Sequence, residues 1–153
     1  FSAARDDLIE RDPTGWLQWN RFYTDMAELL RDAIAQHEVY IITTKQERFV
    51  VKLLAHQGLV LPAERIFGLE RKLSKPQILT QLLTRPEHGG ATHHFLEDRA
   101  GTLHDVIDTP GLDAVKLWLA DWGYNTPAMR ERAAATGRIT VVDAPGFRRQ
   151  AGF

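Results

Sequence analysis

Three short stretches carry residue types that handle phosphate esters, and each lies where a predicted strand ends or a predicted helix begins. Thr43-Thr44-Lys45 follows a β-branched apolar run, Ser74-Lys75-Pro76 opens a helix-period segment, and Glu97-Asp98 closes another apolar run. Hydroxyl and backbone N–H groups bind phosphate oxygens, an ammonium group offsets their charge, and paired carboxylates hold a hard cation such as Mg²⁺. Each stretch alone is typical of a turn or a solvated surface, but their combination indicates a phosphoryl site.

The elements that must position these residues alternate between strand-like and helical patterns. We predict strands at 39–43, 65–69, 93–97 and 138–142. We predict helices at 2–12, 24–36, 46–57, 75–84, 102–107, 112–122 and 126–137. Thr24, Thr102 and Thr126 are the predicted N-caps of their helices, and Gly58 and Gly137 the residues that end two of them.

Strands separated by helices predict right-handed βαβ units, hence an α/β fold with a Rossmann-like parallel sheet covered by helices on both faces. Ligands of such sheets bind beyond the carboxyl ends of the strands. We therefore expect the three stretches to meet at one edge of the sheet.

The composition excludes several classes of protein. The chain has 153 residues, of which 44% are hydrophobic and 25% charged, as in one globular domain. Nineteen basic and twenty acidic residues give a net charge of -1, so no large positive field is available to hold nucleic acid or an anionic membrane. The absence of cysteine excludes disulfides, thiolate zinc sites and a cysteine nucleophile, and is compatible with a reducing cytoplasm. No apolar run is long enough to span a bilayer, and no signal peptide is visible.

Three motifs carry a resemblance to a known family. Tyr-Ile-Ile-Thr-Thr-Lys at 40–45, Ser-Lys-Pro at 74–76 and Phe-Leu-Glu-Asp-Arg-x-x-Thr-Leu at 95–103 resemble the second, third and fourth motifs of the haloacid dehalogenase-like hydrolase superfamily. The order and spacing of the surrounding elements agree from about residue 22 to 142.

The resemblance implies a role for each residue at the predicted site. Thr43 would bind the transferring phosphoryl group, and Thr44 would lend backbone or hydroxyl contacts beside it. Lys75 would steady the nucleophile and the phosphoryl oxygens. Asp98 would be the Mg²⁺ ligand, and Glu97 would either bind the metal as well or support Asp98 without contacting the metal.

Two positions depart from the family pattern. Thr102 stands where many members have a further carboxylate. The first family motif, an Asp-x-Asp after a hydrophobic strand whose first Asp is the nucleophile, is not found. Asp6-Asp7 lies in a charged helical stretch, and Asp143 follows the last predicted strand.

In the family the nucleophile strand is central, in the spatial order 5-4-(1)-2-3, and the four predicted strands would be the second to fifth. We therefore expect this sequence, which begins at Phe1, to lack the N-terminal part of a complete hydrolase. Residues 1–23 would be a remnant of a helical cap segment, 24–147 the core and 148–153 a tail. Without an attacking carboxylate we expect no phosphatase activity from this polypeptide.

The function implied is that of a cytoplasmic, Mg²⁺-dependent phosphatase that acts on a small phosphate ester through an aspartyl-phosphate. A dehalogenase or phosphomutase activity is open on the same grounds. The alternative is a noncatalytic phosphate-binding, metal-binding or interaction module that keeps a degenerate form of the fold. The coding sequence upstream of Phe1 distinguishes the two, because an Asp-x-Asp strand there favours the hydrolase.

Three other patterns in the sequence resemble binding sites. Asp108-Thr-Pro-Gly111 and Asp143-Ala-Pro-Gly146 resemble a GTPase segment, but the chain has no phosphate loop, so both are predicted to be turns. Adjacent His93 and His94 point to opposite faces of a strand and cannot easily share one metal ion. Nucleic-acid bases could stack on a run of aromatic residues that consists of Trp16, Trp19, Phe22 and Tyr23. Because the sequence shows no basic groove, packing of these residues in the core or cap is favoured.

Overall fold

A computed structural model describes residues 2–153, with their side chains from Asp6 onward. The α-helices are α1 Ser2–Arg11, α2 Pro13–Trp19, α3 Met26–Gln36, α4 Glu47–His56, α5 Lys75–Leu83, α6 Ala100–Ile107, α7 Pro127–Ala135 and α8 Ala144–Ala151. The strands are β1 Ile41–Ile42, β2 Ile66–Phe67, β3 His94–Glu97, β4 Lys116–Ala120 and β5 Ile139–Val142. None of the helices in this part of the chain combines the length and the apolar character that crossing a bilayer needs.

The strands form two small parallel sheets. In the first, β1 pairs with β2, with Ile41 opposite Ile66. In the second the order is β3-β4-β5, with Phe95 opposite Leu117 and Leu117 opposite Ile139. A helix follows each of β1 to β5, which confirms the predicted α/β class and parallel pairing.

The helix predicted at 112–122 is wrong, because β4 occupies its centre. Leu117, Trp118, Leu119 and Ala120 are all buried, so this strand is apolar on both faces. A short run buried on both faces has the same hydropathy pattern in a helix as in the middle strand of a parallel sheet. The predicted order, which placed 138–142 beside 93–97, is wrong for the same reason, since β4 lies between β3 and β5.

The C-terminal residues form a helix where a turn and a tail were predicted. Asp143 accepts a hydrogen bond from Gly146 N (2.7 Å) and so caps α8. Arg148 of α8 forms an ion pair with Asp32 of α3. The predicted boundary between core and tail at 147/148 therefore lies inside a helix that packs on the rest of the chain.

The helix ends confirm some predicted caps and correct others. Thr126 Oγ1 accepts a hydrogen bond from Met129 N (3.3 Å) and caps α7 as predicted. Asp25, not Thr24, precedes α3, and α6 begins at Ala100, so Thr102 lies inside that helix.

The two sheets are joined by packing. The main core cluster lies around β3, β4 and the helices beside them, and includes Phe95, Leu103 and Leu119. Ile42 of β1 packs against this same cluster. At the other end of β1, Tyr40 contacts the His88 ring (centroids 5.5 Å apart), which contacts His93 just before β3 (5.9 Å). Within residues 2–153, β1 pairs only with β2, and β3 only with β4, so each leaves one edge without a strand.

Candidate functional site

Thr43 is held in place by backbone hydrogen bonds at the carboxyl end of β1. Its N–H donates to Phe67 O (2.9 Å), which extends the pairing with β2 by one residue. Its Oγ1 accepts a hydrogen bond from Lys45 N (3.1 Å). A hydroxyl that accepts one hydrogen bond can still donate its proton, so Thr43 remains a suitable donor to an anion. Thr44 is exposed beside it.

The turn after β1 is locked to the turn after β2. Leu69 N donates to Lys45 O (3.0 Å), and Gly68 N donates to Glu47 Oε1 (3.1 Å). A Cβ at Gly68 would lie 2.7 Å from Lys45 O, so the close approach of the two turns requires glycine. Partial burial acts to raise the pKa of Glu47, but hydrogen bonds from Gly68 and Arg71 outweigh it and lower the pKa below its ordinary value. Glu47 therefore stays ionised and holds the two turns together.

Lys75 is the first residue of α5, where the sequence predicted a helix to begin. Ser74 and Gln77 form a capping box: Ser74 Oγ accepts from Gln77 N (3.3 Å), and Ser74 N donates to Gln77 Oε1 (2.8 Å). The two hydrogen bonds satisfy backbone donors at the start of the helix. They also fix the backbone from which the Lys75 side chain extends.

Lys75 forms an ion pair with Glu97, the last residue of β3. The Glu97 side chain is 5% exposed and that of Lys75 is 21% exposed. Glu97 Oε2 accepts from Lys75 Nζ, and Oε1 accepts from the N–H groups of Asp98 (3.2 Å) and Arg99 (3.1 Å). Burial raises the pKa of Glu97 above its ordinary value, although Lys75 acts in the opposite direction. Both carboxylate oxygens of Glu97 are therefore engaged within the protein.

Asp98 follows β3 and is contacted by the loop between β4 and α7. Its Oδ2 accepts a hydrogen bond from Tyr124 N (3.1 Å), and its backbone O accepts one from Asn125 Nδ2 (2.8 Å). The Asp98 side chain also contacts the Glu97 carboxyl, and this contact acts to raise the pKa of Glu97. Sequence reasoning missed Tyr124 and Asn125, because it placed the preceding residues in a helix. The turn-forming run Gly123-Tyr-Asn-Thr-Pro was the only signal of a loop there.

The predicted site residues fall into two groups. Lys75, Glu97 and Asp98 are in contact or adjacent, beyond the end of β3. Thr43 and Thr44 follow β1, and no hydrogen bond within residues 2–153 joins either of them to the first group. Each group follows a strand that leaves one edge unpaired within residues 2–153, and Ile42 of β1 packs against the same core cluster as Phe95 of β3.

The carboxylates supply little of a complete metal site. Among the described residues, no group of three His, Asp or Glu side chains is placed to hold a metal ion. Both oxygens of Glu97 are engaged within the protein, and the Asp98 side chain contacts Glu97 and Tyr124 N. Mg²⁺ in phosphoryl sites is often held by one or two carboxylates together with substrate phosphate and water. Asp98 fits such a role, provided that another anionic group is present.

The histidines and aromatic residues have structural neighbours. His94 stacks on Trp118 with an angle of 2° between the rings, and Trp118 Nε1 donates to His94 Nδ1 (3.1 Å). His93 faces His88 instead, so the prediction that the adjacent histidines point to opposite faces is confirmed. Trp16 is buried against Phe49, whereas Trp19 is 88% exposed, so these two rings do not form one stacking surface.

A cavity of about 760 Å³ lies between α2, α3 and α4. Its lining includes Asn20, Tyr23, Arg31 and Leu53. Asn20 Oδ1 accepts a hydrogen bond from Lys45 Nζ (3.2 Å), which links one wall of the cavity to the turn after Thr43.

No protein family, curated protein or solved structure matches this chain.

Proposed function

We propose that this chain forms the phosphoryl-binding core of a haloacid dehalogenase-like hydrolase, a Mg²⁺-dependent phosphatase for small phosphate esters. The observation that carries the proposal is the ion pair between Lys75, at the start of α5, and Glu97, at the end of β3, with Asp98 next to it. Residues 22 apart in sequence are brought together at one edge of a parallel sheet, where ligands of such folds bind.

Each residue has a role that suits its surroundings. Thr43 donates its hydroxyl proton to a phosphoryl oxygen, with its rotamer set by the hydrogen bond from Lys45 N. Lys75 extends its ammonium group over the same oxygens, and Glu97 holds that group in place. Asp98 would supply a carboxylate to the cation, and Mg²⁺ bound there would offset charge on the phosphoryl group.

The nucleophile must come from a strand other than β1 to β5. The unpaired edges of β1 and β3 support a place for one parallel strand between them, as the resemblance implies for the strand that ends in Asp-x-Asp. An Asp at the carboxyl end of that strand would stand between Thr43 and Lys75. Its carboxylate would also supply the second anionic group that a cation at Asp98 needs.

The reaction is a double displacement at phosphorus. A carboxylate oxygen forms a bond to phosphorus, the bond from phosphorus to the ester oxygen breaks, and that oxygen takes a proton from water as the alcohol leaves, a proton that the second step returns to the solvent. Water then attacks the aspartyl-phosphate, which releases inorganic phosphate and restores the carboxylate. Lys75 and Thr43 stabilise the negative charge that the phosphoryl oxygens carry in both steps.

Phosphate binding by the 153-residue chain tests the first half of the proposal. We expect ³¹P NMR titration to show binding of inorganic phosphate that Thr43→Val and Lys75→Met each abolish. Thr140→Val, at an exposed threonine of β5, is the matched control and should bind as the wild type does. Equal binding by all four proteins would overturn the proposal.

Complementation with a peptide tests the second half. A synthetic hydrophobic strand that ends in Asp-x-Asp should give the chain Mg²⁺-dependent turnover of p-nitrophenyl phosphate, and the same peptide with Asn at both positions should not. The chain without peptide should be inactive, and turnover by it alone would contradict the need for an added nucleophile.

A noncatalytic phosphate-binding module is the second candidate. It is favoured by the state of Glu97, whose two oxygens are both engaged inside the protein. Phosphate binding at Thr43 and Lys75 without turnover in the presence of the Asp-x-Asp peptide would select this function over the hydrolase.

A further inference from the structure

A chain of aromatic rings joins the second sheet to the C-terminal helix. We propose that His94 and Trp118 form a pH-sensitive latch, which holds α8 on the sheet while His94 is neutral and releases it when His94 takes up a proton. The latch lies at the amino end of β3, whereas Glu97 is at the carboxyl end of the same strand. It therefore does not depend on the proposed function.

The hydrogen bond between the two rings of the latch determines which nitrogen of His94 carries the proton. Trp118 Nε1 is a donor only, and it lies 3.1 Å from His94 Nδ1. Nδ1 must therefore accept, which places the proton of the neutral imidazole on Nε2. The two rings are also stacked, with 5.7 Å between their centroids. A proton on Nδ1 would set two N–H donors against each other, so protonated His94 cannot keep this hydrogen bond.

Trp118 belongs to the core cluster on which α8 packs. Leu117 and Leu119 lie in the main core cluster, whereas Trp118, between them on β4, lies in a second cluster on the other face of the sheet. In this second cluster the Trp118 indole meets Phe147 of α8 edge to face, with 5.7 Å between the ring centroids. Both side chains are buried. Displacement of the indole would therefore remove apolar surface against which α8 packs.

The ring contacts continue from α8 to a second histidine. Phe147 contacts Phe153 (5.8 Å between centroids), and Phe153 contacts His37, which follows α3 (5.4 Å). His37 is close enough to His94 for its charge to act on that ring. The chain of rings thus runs from one histidine through α8 to another, and protonation places like charges at its two ends.

The surroundings of His94 favour its neutral form while α8 is docked. Burial lowers the pKa of His94, and the charges of three cations lower it further: Lys116, His37 and His93. Lys116 lies directly opposite His94 in the pairing of β3 with β4. Because the pKa of His94 is lowered in the docked form, the released form binds the proton more tightly. Docking of α8 therefore weakens as the pH falls below 6.5, the ordinary value for histidine.

Native-state hydrogen exchange of the full chain, followed by NMR, measures the release of α8. After correction for the intrinsic pH dependence of exchange, the α8 amides should be about tenfold less protected at pH 5 than at pH 7.5. The upper limit is about thirtyfold for release linked to one histidine whose ordinary pKa is 6.5. This exchange should be nearly independent of low concentrations of urea, because release of one helix exposes much less surface than unfolding of the domain.

Two variants test the part that His94 plays. His94→Gln cannot take up a proton, so its α8 amides should be equally protected at pH 5 and 7.5. The control His56→Gln, at an exposed histidine of α4, should keep the wild-type difference. Lys116→Met removes the cation opposite His94, which raises the pKa of His94 and should move the midpoint of release to higher pH. Lys52→Met, at an exposed lysine of α4, should leave the midpoint where it is.

Several results would overturn the latch. Equal protection of the wild-type α8 amides at the two pH values would show that no proton controls the helix. A steep increase of their exchange with urea at both pH values would show that α8 opens only when the whole domain unfolds. Acid release that persists in His94→Gln would assign the pH dependence to another group, such as Asp32, whose ion pair with Arg148 also holds α8. Should His94→Gln not fold, a midpoint that does not rise in Lys116→Met would decide against the latch.

Discussion

Replacement of Lys75 by methionine tests whether the ion pair between Lys75 and Glu97 keeps the buried Glu97 carboxylate ionised. The Glu97 side chain is 5% exposed, and Lys75 is its only cationic side-chain partner within residues 2–153. Removing one member of a buried ion pair costs about 3–5 kcal/mol, because the other charge is left without a partner. Lys75 is 21% exposed, which allows some entry of water, so we expect the lower end of this range, about 3 kcal/mol. For a domain of this size the melting temperature should then fall by roughly 6–12 °C.

The penalty should depend on pH, in a direction set by the pKa of Glu97. Burial raises this pKa above its ordinary value of 4.5, so the native state binds the proton more tightly than the unfolded state does. Between pH 4.5 and the raised pKa, stability therefore falls as the pH rises. Lys75 opposes the rise in the pKa, so its loss raises the pKa further and extends the decline. The penalty of Lys75→Met should be small at pH 4 and largest at pH 7.5 and above.

Urea unfolding, followed by tryptophan fluorescence at pH 4 and 7.5, measures the effect. Lys52→Met, at an exposed lysine of α4, is the matched control and should change stability little at either pH. In the double variant with Glu97→Gln the buried charge is absent, so most of the lost stability should return at pH 7.5. A penalty equal at the two pH values, or no recovery in the double variant, would refute this account of the pair.

Three further predictions concern the fold that carries the site. Burial and the charge of Lys116 lower the pKa of His94, so the free energy of unfolding should decrease as the pH falls below 6.5. His94→Gln should remove this part of the pH dependence of urea unfolding, and an unchanged profile would contradict the prediction. Leu119 is 0% exposed in the middle of β4, so Leu119→Ala should lower the free energy of unfolding by about 2–5 kcal/mol, and a loss below 1 kcal/mol would place it outside the core. Asp143→Ala should lower the free energy of unfolding by about 1 kcal/mol through loss of the α8 cap, whereas Asp113→Ala, at an exposed aspartate, should change it little. Equal values for the two variants in thermal unfolding would exclude a stabilising cap at Asp143.

Local chemistry made part of this structure predictable from sequence. Ser74 and Thr126 precede a proline at the first or second helical position, and the hydrogen bonds that cap these helices form within a few residues. The start of α5, and hence the place of Lys75, could be read from the sequence for this reason. The parallel pairing of the strands could also be predicted from the sequence, because strands that alternate with helices have few other ways to pack.

Tertiary packing decided what a hydropathy pattern leaves ambiguous. The run that forms β4 is apolar at every position from Leu117 to Ala120, and such a run is buried equally well as a helix or as a central strand. Neighbouring strands β3 and β5 supply hydrogen-bond partners on both sides of it, and that choice depends on residues about 20 positions away in either direction.

The details of the site also required the folded chain. Thr43, Lys75, Glu97 and Asp98 were found as residue types at the ends of elements, but their partners were not. No sequence pattern predicts that both carboxylate oxygens of Glu97 accept hydrogen bonds, from Lys75 and from two backbone N–H groups. Nor does any pattern predict that Asn125 donates a hydrogen bond to Asp98 O. These contacts join residues that are far apart in the chain or placed by the course of one loop. The sequence by itself thus determined which residue types lie at the ends of the strands and helices, and the tertiary structure decided which of them pair with one another, because those pairs join residues far apart in the chain.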